Sequence, residues 1–251
     1  MKKGTKRFRA FLLLILVLAG IKVISLGRYE EREAGVHTTN KCRVYYLLNL
    51  DGMKGLGHVA FMLTDEAEKG ILYSYNGMQY SLAECLLGKA GVGKMKEFSL
   101  SQKEVEEFLL TGDLQVSDAA ECDNFDRLMY RYISREEYEM IREQAKAYIA
   151  AGETFEKLYA ASGSPEGEKE LVDFVSREDV PKYQIYRHNC DTAARIFIEK
   201  IDEEMAEYNA NNQRLVPAKN YKGMWKQFGD DWGFLRLGED SPVEWFLWYI
   251  L

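Results

Sequence analysis

Apolar residues come first in short runs broken by turns, and later at helical spacing. Residues 43–50 are rich in Val, Tyr and Leu and stop at Asp51-Gly52. Residues 58–63 form a second such run, closed by the polar stretch 65–70. Residues 71–75 form a third, ended by Asn76-Gly77, and residues 94–98 a fourth. Runs of this length and composition between turn residues predict strands, and the short connections predict an antiparallel meander. Ser101 is placed to cap a helix carrying Val105, Phe108 and Leu109. Ser134 with Glu137 forms a capping box ahead of an amphipathic helix over 136–151. Residues 162–170 read as a polar surface loop. Residues 182–187 read as a short extended segment, because Pro181 disfavours helix at the residue before it. Asn189-Cys190-Asp191-Thr192 then opens a helix to about residue 205. Ala194, Phe197, Ile198 and Ile201 make its apolar face, and Cys190 falls on that face. The tail from Val216 carries Trp225, Trp232, Trp245 and Trp248, expected in the core rather than as sugar platforms.

The first 27 residues stand apart. Lys2, Lys3, Lys6, Arg7 and Arg9 precede a run that is apolar from Phe11 to Ile21, is interrupted by Lys22 and resumes with Val23, Ile24 and Leu26. A basic head before an apolar stretch directs a chain into a membrane with the head on the cytoplasmic side. Two readings stay open. Residues 10–26 suit a short spanning anchor with Lys22 snorkelling to the outer interface, whereas Ser25-Leu26-Gly27 suits cleavage of a signal peptide. Residues 28–42 then read as a polar linker, with His37 an ordinary exposed residue, and residues 43–251 as one α+β domain. The expected location is the cell membrane, with the C-terminal domain outside, or secretion.

Charge narrows the partners. Six of the 33 Lys and Arg and none of the 40 Asp and Glu fall in residues 1–27, so the remainder carries a net charge near −13. Nucleic acid requires clustered positive charge, so no nucleic-acid partner is expected, nor simple adhesion to anionic lipids or wall polymers.

The four cysteines, Cys42, Cys85, Cys122 and Cys190, are too widely spaced for a disulfide framework. Cys42 with Cys85 or with Cys122 remains open as a single bridge. Cys190 carries the candidate chemistry. A helix N-terminus favours the thiolate through its unpaired N–H groups and macrodipole, and a nearby imidazole can take the proton. Of His37, His58 and His188, the last is only two residues from Cys190 and reads as a loop residue near a cleft. His58 opens a strand on which Ala60 and Met62 share its face. The small Ala60 leads to the expectation that the Cys190 helix packs there. A zinc site on His188 and Cys190 lacks two further ligands at a known spacing, and no cofactor is implied. Asp230 and Asp231 are paired only by adjacency, which gives no acid–base geometry.

Three segments carry a resemblance. Gly57-His58-Val59-Ala60-Phe61, then Tyr73-Ser74-Tyr75-Asn76-Gly77, then Tyr186-Arg187-His188-Asn189-Cys190-Asp191 resemble the circularly permuted papain-like thiol hydrolases. That superfamily includes NlpC-type cell-wall enzymes and lecithin:retinol acyltransferase-like proteins. The similarity spans residues 43–205 and is greatest to the exported bacterial branch. It implies an antiparallel sheet packed against a Cys-bearing helix, with a helical insertion between the motifs, His58 as base and Cys190 as nucleophile. Relatives place a polar third residue on the strand after the histidine. Here that strand has no His, Asp or Glu, which leaves Ser74 or Asn76 for the role. The implied activity is attack on an amide or ester of a peptide or acyl substrate at the envelope, with peptidoglycan stem peptides ahead of lipid acyl groups. The alternative is a catalytically inactive papain-like binding or scaffold domain tethered to the membrane.

Overall fold

The computed structural model describes residues 31–35, 41–52, 57–77, 91–114, 124–178, 180–184, 188–212, 214 and 216–238, with residues 13, 17 and 248. Apart from residues 13 and 17, the basic and apolar leader lies outside the described residues, as do His37, Cys85, Cys122, Tyr186, Arg187 and Trp245. Among the described residues no helix is long and apolar enough to cross a membrane.

The predicted meander forms as strands β1 (Cys42–Asn49), β2 (His58–Thr64), β3 (Gly70–Gly77) and β4 (Gly91–Leu100). Three further strands, β5 (Arg127–Ile133), β6 (Lys182–Tyr183) and β7 (Gly233–Arg236), complete a seven-stranded sheet in the order β6-β4-β3-β2-β1-β5-β7, every neighbouring pair antiparallel. β1 is an interior strand of the sheet, between β2 and β5. Its side chains are buried on both faces, which is why Val44 to Leu48 read as one apolar run rather than an alternation. The fold is therefore α+β.

Among the described residues, six helices lie between and after the strands: α1 (Gln102–Thr111), α2 (Arg135–Ala161), α3 (Pro165–Ser176), α4 (Cys190–Glu199), α5 (Glu203–Asn212) and α6 (Pro217–Gln227). Both predicted capping boxes form, at Ser101 with Glu104 and at Ser134 with Glu137. The sheet separates two apolar layers. Val44, Tyr46, Leu48, Val59, Phe61, Leu63, Tyr73 and Tyr75 pack with residues of α2, α4 and α6. Tyr45, Leu47, Ala60, Met62 and Leu72 pack with Val105 and Phe108 of α1 on the other side.

Several expectations are corrected. The loop expected over 162–170 contains the start of α3. Ser164 accepts from the Gly167 amide at 3.1 Å and Pro165 takes the first helical position, a start signal hidden by the surrounding Gly, Ser and Glu. The helix opening at Cys190 stops at Glu199 rather than near residue 205. The break occurs where the Asp202 carboxylate accepts from the Met205 amide (2.9 Å), Arg131 (2.8 Å) and the Trp232 indole (2.9 Å), which starts α5 on a new axis. Part of the stretch expected as a linker is packed on the body. Arg32 exchanges backbone hydrogen bonds with Phe234, the Ala34 amide donates to the Tyr130 hydroxyl, and Cys42 already belongs to β1. Cys42 is a buried thiol outside any disulfide, which removes both bridges considered for it. Trp232 and Trp248 are buried, as expected of core residues.

Candidate active site

Cys190 is the first residue of α4. The Asn189 side chain caps the helix by accepting from the Thr192 amide at 3.0 Å, so the Asn-Cys pair is a cap followed by the first helical position. Cys190, Ala194, Phe197 and Ile198 are buried in one apolar cluster, as the spacing predicted. Phe197 stacks on Phe61 of β2 with ring centroids 4.5 Å apart, and meets Tyr148 of α2 edge-on at 5.1 Å.

These contacts correct the expected face. Phe61 and Val59 face α4, whereas Ala60 and Met62 face α1, so the helix does not pack on the Ala60 side. The aromatic stack of Phe61 on Phe197 fixes this choice, because it buries two large rings that the Ala60 side cannot match. Phe197 lies over Phe61, and Ala193, one turn earlier, lines a cavity with Tyr75, whose neighbour Ser74 is paired with Ala60. The tip of α4 thus points to the end of the sheet at which His58 begins β2.

His58 is 2% exposed. Its Nε2 lies 3.2 Å from the Ser74 hydroxyl on β3, and the Asn76 amide donates to that same oxygen at 3.1 Å. The three candidate residues of β2 and β3 are therefore joined in one chain. Burial pushes the imidazole down to about 4, so the ring is neutral near pH 7. Gly52 and Gly57 make the room for it. A Cβ on Gly52 would collide with the Cβ of His58, and Gly57 holds φ at +91°, where a side chain is strained.

A charged network, missed in the sequence, lies beside Cys190. Asp191 is buried and takes hydrogen bonds from the Tyr46 hydroxyl, from Asn220 at 2.6 Å and from Arg195 at 3.2 Å. Burial pushes its carboxyl up, while Arg195, Tyr46 and Asn220 pull it back. Burial and the adjacent carboxylate drive the Tyr46 phenol well above its ordinary range, and Cys190 contributes in the same direction. The buried Arg195 guanidinium requires a counter-charge, which makes Asp191 the anion of the pair. The i, i+4 spacing of Asp191 and Arg195 was the available signal; its burial was not.

A cavity of about 230 Å³ flanks the same helix tip, lined among others by Tyr75, Tyr148, His188, Asn189, Thr192 and Ile196. Tyr75 is fixed there by its hydroxyl, which donates to the Lys182 carbonyl at 3.2 Å. His188 is exposed, exchanges backbone hydrogen bonds with Gln184, and lines this cavity, as expected of a loop residue near a cleft. Among the described residues no group of three or more His, Cys, Asp or Glu is gathered to hold a metal. Compared with known protein families, characterised proteins and solved structures, the chain matches none.

Proposed function

We propose that the chain is a thiol hydrolase or acyltransferase of the permuted papain-like kind, acting on an amide or ester at the cell envelope. The observation that carries this reading is the His58–Ser74–Asn76 chain at the end of the sheet toward which α4 directs Cys190. With Nε2 turned to Ser74, Nδ1 is the atom that takes the thiol proton. The sulfur then attacks the carbonyl carbon, and the C–N or C–O bond breaks as the leaving group takes the proton back from Nδ1. Water or an acceptor clears the resulting thioester by the reverse proton path. The neutral imidazole supports this order, since a base must be unprotonated before it acts.

The cavity supports a peptide amide over a long acyl chain. At about 230 Å³ it lies below the roughly 300–1,000 Å³ of pockets that enclose drug-sized ligands, and has room for one amino-acid side chain. The leader, read as an export signal or anchor, would put the domain beside the peptide cross-links of a cell wall.

A second reading, an inactive binding or scaffold domain, is favoured by one set of observations. Cys190 and His58 are 3% and 2% exposed, and strand alternation turns His58 to the α1 side. Intact-mass analysis after incubation with p-nitrophenyl acetate separates the two. The enzyme reading expects one acetyl group on Cys190, lost in Cys190→Ser and in His58→Ala with the circular dichroism spectrum retained. Absence of the adduct in the wild-type chain selects the binding domain.

A further inference from the structure

Helix α6 touches the sequence neighbour of each half of the proposed pair. On the thiol side, Asn220 donates to the carboxylate of Asp191, the residue after Cys190, at 2.6 Å. The Asn220 side chain is itself fixed, donating to the Arg214 carbonyl and accepting from the Arg214 amide, both at 2.8 Å. Asn220, Asp191 and Arg195 are all buried, at 4%, 1% and 3% exposure. On the histidine side, Pro217 packs against Gly57, the residue before His58, so that a Cβ there would lie 3.5 Å from the proline ring. Tyr221, the residue after Asn220, holds the helix to the sheet through a hydroxyl that donates to the Leu128 carbonyl at 2.8 Å.

We infer that α6 is the clamp that sets Cys190 relative to His58, with Asn220 acting through Asp191 as a positioning residue for the thiol. The inference rests on the thiol reading above. An amide suits position 220 on charge grounds. It satisfies the Asp191 carboxylate without adding charge beside the sulfur, whereas an acid would place two carboxylates in a dry site and a lysine would neutralise the anion that Arg195 requires. Tyr46 from β1 lies close to Cys190, and Asp191 and Arg195 from its own helix join Tyr46 in the buried charged network beside it, with His188 at the flanking cavity. Tyr148 of α2 and Tyr75 of β3 stand at the flanking cavity.

Asn220→Ala and Asp191→Asn, alone and combined, test the clamp. Each is measured for Cys190-dependent hydrolysis of p-nitrophenyl acetate, and for the pH midpoint of Cys190 alkylation by iodoacetamide, read by peptide mass spectrometry. Each single variant is expected to lose about tenfold to hundredfold in kcat with KM held within about twofold, as for a misplaced reacting group. The double variant is expected to be no worse than the poorer single one, because the two residues act through one contact. Asp191→Asn is further expected to move the alkylation midpoint down, since it removes a negative charge beside the thiol, and Asn220→Ala to move it up. Additive losses, unchanged kcat or unmoved midpoints would overturn the clamp. Should either variant fail to fold, Asn220→Ser, which keeps the Asp191–Arg195 pair charged, carries the test through the same kcat and midpoint measurements. If the wild-type chain hydrolyses no ester, the thiol reading has failed, and the alkylation midpoints still decide the clamp.

Discussion

The Nε2 of His58 and the hydroxyl oxygen of Ser74 lie 3.2 Å apart on neighbouring strands, and the Asn76 side-chain amide donates to the same oxygen. A hydroxyl fixed in this way can orient an imidazole, although it stabilises an imidazolium less than a carboxylate would. Ser74→Ala is therefore expected to lower kcat by about tenfold with KM little changed, because it removes orientation and not binding. Asn76→Ala, one step further out, is expected to cost less. Steady-state kinetics on an ester substrate distinguish these outcomes from a uniform loss of binding.

The buried imidazole also sets the pH dependence. With its proton affinity pushed down to about 4, His58 remains an unprotonated base through the mildly acidic range. The acid limb of kcat/KM is expected near pH 4, not near the ordinary histidine value of about 6.5. A pH–rate profile showing half-maximal activity near 6.5 would assign the limb to another group.

The same residue makes the fold acid-sensitive. Above about pH 6.5 the imidazole is neutral in both the folded and unfolded chains and contributes nothing. As pH falls from there towards 4 the unfolded chain takes up a proton that the buried ring does not, and stability drops by up to about 3 kcal/mol. Denaturant melts of the wild type and His58→Gln should therefore converge or cross as pH is lowered from 7.5 to 4.5. A wild-type stability that is flat across this window would show that His58 is not desolvated.

Phe197 ties the Cys190 helix to the sheet through its stack on Phe61 and its edge contact with Tyr148. Phe197→Ala is expected to destabilise by about 3–5 kcal/mol, the cost of emptying a fully buried aromatic site. Calorimetric melting measures it, and a loss below about 1 kcal/mol would mean the site collapses around the smaller residue.

The legible parts of the fold were those that local chemistry decides. Turn residues at Asp51-Gly52 and Asn76-Gly77 marked the meander, Ser101 and Ser134 with their partner glutamates marked two helix starts, and Asn189 marked the start of α4. Contacts distant in sequence were hidden. Strand β5 pairs with β1 across 79 to 91 positions, and its Arg131 and Arg127 disguise the apolar alternation. The face chosen by α4 depends on Phe61 meeting Phe197, and the helix break at Asp202 depends on Arg131 and Trp232. The candidate site divides in the same way. Ser74 and Asn76 were legible beside His58 because adjacent strands place them. Tyr46 and Asn220 were not, since only the folded chain brings them to Asp191.

The pairing of Cys190 with His58 is tested most directly by the rate at which iodoacetamide alkylates Cys190 at pH 6, compared between the wild type and His58→Gln by peptide mass spectrometry. A thiol whose proton is taken by His58 is expected to react at least about tenfold more slowly once the imidazole is gone. Equal rates in the two proteins, with both folded, would contradict the pairing.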